Sequence, residues 1–298
     1  MLEYDFNGTK LRLKTEMCRL WDDEVIDIYP QTNLYIRINN LCNANCRFCE
    51  YHGDKTEFSF ERLELALKEL SERGIIYKIQ ITGGETTLDR ERLSTVVSLI
   101  RKYFDRNEYF VGINSNGYDL QAVLDVRDSI QNIAISRHHY DDSVNSEIFG
   151  TLKVPTTQEL KDFIAEMTPD MVHLSCNLMK DYIGNMNEIK KYLNYCIEIG
   201  CKDMGFVTLM PVNEFAQQQH VLFDECGIEE DPLFYKYKQF TKCGNCCKCA
   251  NYLYTSPTQF GMIDLYGRFV SKPDNTTGLI SFDGYNLREG FNGSIINI

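Results

Sequence analysis

Cys42, Cys46 and Cys49 lie in CNANCRFC at C-x-x-x-C-x-x-C spacing, directly after the apolar run LYIRI and with Phe48 just before the last cysteine. A cubane of four irons and four sulfides takes four thiolates, so three from one tight loop leave an iron open to a small chelating ligand. An open iron implies chemistry on a bound molecule rather than electron storage. Taken alone, the spacing also suits a zinc loop or three buried thiols. Further along, ITGGETTL sets Gly83, Gly84 and Glu85 behind the apolar run Ile75, Ile76, Ile79, Ile81. Glycines there let the backbone approach a ligand, and the carboxylate can accept from an ammonium group. A second group, KCGNCCKC, supplies Cys243, Cys246, Cys247 and Cys249. Cys243, Cys246 and Cys249 have C-x-x-C-x-x-C spacing, which suits a second iron-sulfur cluster, while C-x-x-C elements also hold zinc. Its fourth ligand is open between Cys247 and Cys226, and with neither this cluster too has a free iron. Cys18, Cys176, Cys196 and Cys201 read as buried small hydrophobes.

The cysteine loop followed by the Gly-Gly-Glu segment resembles the radical S-adenosylmethionine (SAM) superfamily. That resemblance implies that Cys42, Cys46 and Cys49 hold a 4Fe-4S cluster whose fourth iron takes the amino and carboxylate groups of SAM. It puts Phe48 beside the adenine and uses Gly83, Gly84 and Glu85 to hold the methionine amino group. Ser136 and Met210 match positions that touch SAM. Asn114 and Arg137 have the chemistry for a ribose hydroxyl and a carboxylate, set against an ordinary turn over Asn114 to Gly117 and a structural salt bridge for Arg137. His138 and His139 read as loop or substrate-side residues. The implied reaction is one-electron cleavage of SAM to methionine and a 5'-deoxyadenosyl radical, which takes a hydrogen atom from substrate. An electron donor of flavodoxin or ferredoxin type and an auxiliary 4Fe-4S cluster at the second cysteine group belong to the same picture.

These residues need a scaffold, and from Leu34 onward strand-length apolar runs alternate with segments of helical period, the signature of βα units and a parallel sheet. Strands are expected at 34–38, 76–82, 109–114, 131–136, 171–178 and 204–210, and helices at 59–73, 90–104, 118–127, 157–167 and 185–199. Each polar cluster then follows a strand end, where barrels of this kind carry their sites. The expected class is α/β, a partial (β/α)6 TIM barrel with a C-terminal cysteine-rich auxiliary-cluster extension. Its divisions are a lead-in over 1–33 with an Asn7-Gly8 hairpin turn, the barrel over 34–211, and the extension over 212–298, where the βα rhythm stops.

With 43 acidic against 31 basic residues, the net charge of -12 disfavours nucleic acid and anionic membranes as partners. No run long enough to span a bilayer occurs, and MLEYDFNGTK has neither the basic nor the apolar part of a signal peptide, so a cytoplasmic protein is expected.

Within the superfamily, residues 34–270 resemble the GTP 3',8-cyclases of molybdenum-cofactor biosynthesis, through LYIRINNLCNANCRFC, ITGGETTL, Ser136 to Gly150, NLMKDYIGNMNEI and GFVTLMPV. Tyr35 and Gln80 stand where that family has arginines, and His173 where it has a lysine. Ala250 and Asn251 follow Cys249 in place of an Arg-x-Arg pair, the third auxiliary cysteine falls near Ser271, and SIINI replaces a terminal double glycine. Losing these donors removes the reason for a triphosphate to bind. The expected function is a radical SAM enzyme acting on a small molecule by oxidation, cyclisation or rearrangement. The alternative is maturation of a ribosomally made peptide, although the residues before Leu34 are too few for a leader-binding domain. Less favoured readings are GTP cyclisation and a non-catalytic electron carrier.

Overall fold

Aliphatic and polar residues alternate along the parallel strands, and that alternation decides what each face of the sheet does. In the computed structural model, which describes residues 2–13, 32–50, 53, 57–239, 250–268 and 278–298, six parallel strands follow one another in chain order. They are β3 (Thr32–Arg37), β4 (Ile76–Thr82), β5 (Phe110–Ser115), β6 (Asn132–Ser136), β7 (Val172–Leu178) and β8 (Asp203–Thr208), preceded by the hairpin β1 (Leu2–Phe6) and β2 (Thr9–Leu13). Along β7, Val172, Leu174, Cys176 and Leu178 are buried while His173, Ser175 and Asn177 are half-buried on the other face. Parallel strands covered on both faces read as continuous apolar runs. Here one face is aliphatic and joins the helices in the core, and the other lines a cavity.

The helices form where capping and period agree. α1 (Phe60–Arg73) starts at Ser59, whose hydroxyl accepts from the Arg62 N–H at 3.2 Å, and stops at Gly74 with φ 62°. It buries Leu63, Ala66, Leu67 and Leu70, each large side chain contributing about 1.5–3 kcal/mol. α2 (Arg90–Tyr103) is capped by Asp89 and covers the sheet with Leu93, Val96, Val97 and Ile100. α3 (Leu120–Leu124) is shorter than its expected span because Asp119 caps it late. α4 (Asp142–Phe149) is a helix the sequence reading left out. Eight residues with few apolar positions give little periodicity, yet Asp141 caps it and Gly150 ends it at φ 63°. α5 (Thr157–Met167) begins with a Thr156/Glu159 capping box, and α6 (Met186–Glu198) with Asn185. α7 (Glu214–Gln218) is a short helix beyond β8.

The chain does not leave the sheet after Met210. β9 (Phe234–Gln239), β10 (Ala250–Thr255) and β11 (Met262–Arg268) form an antiparallel set that joins β8 through β11, parallel, with Asp264 opposite Asp203. β12 (Leu279–Phe282) pairs parallel with β3 at the other side, followed by β13 (Leu287–Glu289) and β14 (Ile295–Ile296). The order is β14-β13-β12-β3-β4-β5-β6-β7-β8-β11-β10-β9, twelve strands in place of the six expected. Asn7 and Gly8 turn the β1–β2 hairpin at φ 48° and 85°, the positive pair that such two-residue turns require. Among the described residues no helix is long and apolar enough to cross a membrane.

Candidate active site

The loop after β3 and the loop after β4 are joined backbone to backbone. The Gly84 N–H donates to Asn39 O at 3.0 Å and the Glu85 N–H to Leu41 O at 2.8 Å. A Cβ on Gly83 would lie 2.5 Å from Asn39 O, and one on Gly84 only 2.2 Å from Leu41 O. The glycines therefore serve the approach of the cysteine loop itself, where the sequence reading had invoked the approach of a ligand. Glu85 is 1% exposed and ties the ends of β4 and β5 together. Its Oε1 accepts from the Thr87 N–H (2.8 Å), Thr87 Oγ1 (2.7 Å) and Ser115 Oγ (2.6 Å), and Oε2 accepts from the Asn116 N–H at 2.6 Å. Asn116 Nδ2 in turn donates to Asn43 Oδ1 at 2.9 Å and towards Cys42 Sγ at 3.7 Å. Oε2 takes one bond among the described residues, and so keeps acceptor capacity for an ammonium.

Cys46 is buried, and Cys42 and Cys49 are half-buried. The Ala44 N–H donates to Cys42 Sγ at 3.4 Å, and the Cys49 N–H to Cys46 O at 3.0 Å. Asn45 N–H donates to Phe149 O at 2.8 Å, which fastens the loop to the end of α4. Burial, with the neighbouring Cys49 and Cys42 acting in the same direction, pushes the Cys46 thiol up to about 12; burial also raises Cys42. Three thiols from one short loop are a donor set that iron would hold as thiolates, so the residues fit a cluster. Among the described residues no three His, Cys, Asp or Glu side chains converge on a single-ion position.

Phe48 meets His138 edge to face, centroids 5.2 Å apart, and His138 stacks on Phe149 at 4.9 Å. His138 is buried, and desolvation pushes its imidazole down to about 3, so it is neutral. Its Nδ1 accepts from the Asn177 N–H at 3.2 Å, which places the proton on Nε2. His139 is held low by burial as well, and its Nδ1 accepts from the Asp141 N–H. Both histidines thus brace the loop after β6.

Arg137 makes the salt bridge that the sequence reading set beside a carboxylate-binding role. It is 1% exposed, and its guanidinium donates to His139 O (2.8 Å), Pro155 O (2.9 Å), Tyr140 O (3.3 Å) and the Asp142 carboxylate. Those bonds fix the connection from β6 to α5 and leave it a structural ion pair rather than a partner for a ligand carboxylate. Asn114 lies within β5, one residue before its end, rather than in a turn, and its Oδ1 accepts from Gln80 Nε2 at 2.9 Å. Asn114 and Ser136 both line the cavity of about 660 Å³ on the polar face of the sheet, and Met210, past the end of β8, is exposed. Cys226 packs in the main core with its Sγ 3.5 Å from Leu222 O. Cys243, Cys246, Cys247 and Cys249 lie outside the described residues.

The sequence reading missed the partners of Glu85 and a polar row in the cavity. Thr87 follows in the short turn that Glu85 caps, whereas Ser115 and Asn116, at the end of β5, come beside Glu85 only once β4 and β5 pair. In the cavity, His173 Nδ1 bonds Asp203 Oδ2 at 2.8 Å across neighbouring strands. Asp264 follows on β11, accepting from Tyr237 (2.8 and 2.7 Å) and Asn251 (3.2 Å). Tyr35 and Gln80 line the same cavity.

Known proteins share sequence or fold with this chain. Similar sequences are a probable GTP 3',8-cyclase of Thermoplasma volcanium, 34% identical over 42% of this chain and 39% of that one, and a probable GTP 3',8-cyclase of Sulfurisphaera tokodaii, 28% identical over 60% and 56%. A GTP 3',8-cyclase of Pasteurella multocida is 25% identical over 67% and 61%. The chain thus spans only 39 to 61% of the length of these curated relatives. Among solved structures, Streptococcus suis SuiB bound to its precursor peptide SuiA has a TM-score of 0.52 at 16% identity, over 64% of this chain and 42% of that one. The structure of anSMEcpe with bound AdoMet and a peptide also scores 0.52, at 18% identity over 67% and 57%. These likenesses show the shared α/β fold. The model of the Radical SAM superfamily matches residues 36–214, from the end of β3, just ahead of the cysteine loop, to the first residue of α7, and the chain belongs to that superfamily of enzymes.

Proposed function

We propose that this chain cleaves SAM at a cluster held by Cys42, Cys46 and Cys49 and directs the resulting radical at a small molecule inside a partial (β/α)6 barrel. The observation that carries the reading is the joining of the cysteine loop to Gly83, Gly84 and Glu85, on a sheet whose Asn114, Ser136 and Asn177 line a polar cavity. When bound, the reduced cluster and SAM supply a 5'-deoxyadenosyl radical able to abstract hydrogen. The protein's part is to hold and exclude. Glu85 Oε2 takes the methionine ammonium, Phe48 stands by the adenine, and Ser136 and Asn114 face the sugar. The cavity keeps the substrate C–H near the radical and stray hydrogen donors out.

Residues 34–211 form the barrel and 212–298 the extension, whose KCGNCCKC segment would hold an auxiliary cluster. Support comes from the register: Gln239 and Ala250, the last and first described residues around that segment, pair directly, at the level of Gly267 and Phe206 near the C-terminal end of β8. A flavodoxin or ferredoxin is the proposed electron source. GTP, which the names of similar sequences give, is not the favoured substrate, since Tyr35, Gln80 and His173 occupy the cavity where the resemblance expects arginines and a lysine.

Anaerobic incubation with SAM and dithionite tests the reading. The wild-type protein should form 5'-deoxyadenosine, and Cys46→Ala should abolish it, while Cys247→Ala should keep it. Equal, background-level 5'-deoxyadenosine in wild type and Cys46→Ala would overturn the enzyme. Deuterium transfer from labelled small molecules or labelled peptides separates the small-molecule reading from peptide maturation.

A further inference from the structure

The polar face of the sheet is built around two glycines. A Cβ on Gly112 would lie 2.7 Å from Gln80 Oε1, and one on Gly205 would lie 2.9 Å from His173 Nε2. Each glycine is the cross-strand or near neighbour of a large polar side chain, and each clears the space which that side chain occupies inside the cavity. Register sets His173, Asp203 and Asp264 in one row across β7, β8 and β11. With Nδ1 against the Asp203 carboxylate, His173 donates there and keeps Nε2 as an acceptor. Asp264 is already oriented by Tyr237 and Asn251, and burial together with that carboxylate raises the Tyr237 phenol, which stays a donor.

The charges of the lining point the same way. Asp170, Asp203 and Asp264 face Lys78, and among the described lining residues none is an arginine. Lys78 itself lies over the Phe110 ring at 4.2 Å. The rest of the wall is amide, hydroxyl and imidazole. A phosphate brought here would lose hydration, meet carboxylates and find no bidentate donor. A group carrying N–H or O–H donors meets acceptors already held in place.

We propose that this part of the cavity is the substrate-recognition site, taking a phosphate-free polar molecule whose N–H or O–H groups are received by the His173–Asp203 pair and Asp264. The assignment rests on the radical SAM reading above and deepens it. His173 acts here as a positioning residue, with no part in the chemistry at the cluster.

The probe is the ultrafiltered small-molecule extract of the source cells, with and without alkaline phosphatase treatment, added to reconstituted protein with SAM and dithionite. The treated extract should stimulate 5'-deoxyadenosine formation as well as the untreated one, and pure GTP should not stimulate it. Asp203→Asn and His173→Gln should each raise the half-stimulating concentration of treated extract by roughly tenfold, and His173→Asn, which can restore an acceptor only at shorter reach, should recover little. Loss of stimulation on phosphatase treatment, stimulation by GTP, or unchanged concentration dependence in both variants would overturn the assignment. Absence of any SAM cleavage would instead overturn the enzyme. Cleavage that neither extract accelerates would remove the small-molecule substrate on which the assignment depends.

Discussion

The cysteine site and the polar cavity are built in opposite ways. At the cysteine site, contiguous stretches of chain carry the function, and backbone bonds from Gly84 and Glu85 to Asn39 and Leu41 lock two neighbouring loops together. In the cavity, single residues from distant strands, His173, Asp203 and Asp264, become neighbours only through sheet register. The first carries the cysteine loop and ITGGETTL, the segments on which the resemblance was read. The second is where this chain can differ, because one side chain can change there without disturbing a loop.

If the contrast is right, the cysteine site tolerates substitution poorly. Gly84→Ala should have the largest effect, since its Cβ would press on Leu41 O at 2.2 Å and neither backbone can yield. A loss of about 3 kcal/mol or more is expected, with loss of bound iron. Urea denaturation and iron analysis check it, and a variant of wild-type stability and iron content would break the contrast. Glu85→Gln comes next. It replaces a carboxylate that accepts four close bonds by an amide that must turn an NH2 towards donors, and should cost about 3 kcal/mol. A cost below about 1 kcal/mol by the same titration would mean that the ends of β4 and β5 hold together without the charge.

The smallest effect concerns pH. His138 is neutral in the fold, with its imidazole held down to about 3 from the ordinary 6.5. Below about pH 6.5 the unfolded chain binds a proton that the folded one refuses, so stability falls as pH drops through that window, by up to about 1.4 kcal/mol per pH unit. His138→Phe keeps a ring against Phe48 and Phe149 and removes the titration. Its stability should therefore depend less on pH than wild type between about pH 7 and about pH 5. Identical pH slopes in chemical denaturation would show that His138 is not desolvated there.

How much the sequence reveals follows the same divide. Ser59, the Leu63-Leu67-Leu70 stripe and Gly74 define α1 without any tertiary information, and the six central strands are legible from their apolar runs. The cysteine loop and ITGGETTL are equally plain, though the reason for the glycines is steric contact between loops. Arg137 shows the limit of residue chemistry: a guanidinium after a strand end suits a carboxylate ligand, but α4, which was not foreseen, brings Asp142 to it. β9 to β14 were missed because short strands such as ANYLYT acquire their identity from partners far away in the chain, β8 and β3 among them. The row of His173, Asp203 and Asp264 was invisible for the same reason.

The most direct test of the central claim is electron paramagnetic resonance of anaerobically reconstituted, dithionite-reduced protein, taken with and without SAM and repeated in the Cys42, Cys46 and Cys49 alanine variants. The account predicts the signal of a reduced 4Fe-4S cluster that changes on adding SAM, and loss of that change in each variant. Protein that binds only zinc at these cysteines, or a cluster signal that SAM leaves untouched, would contradict it.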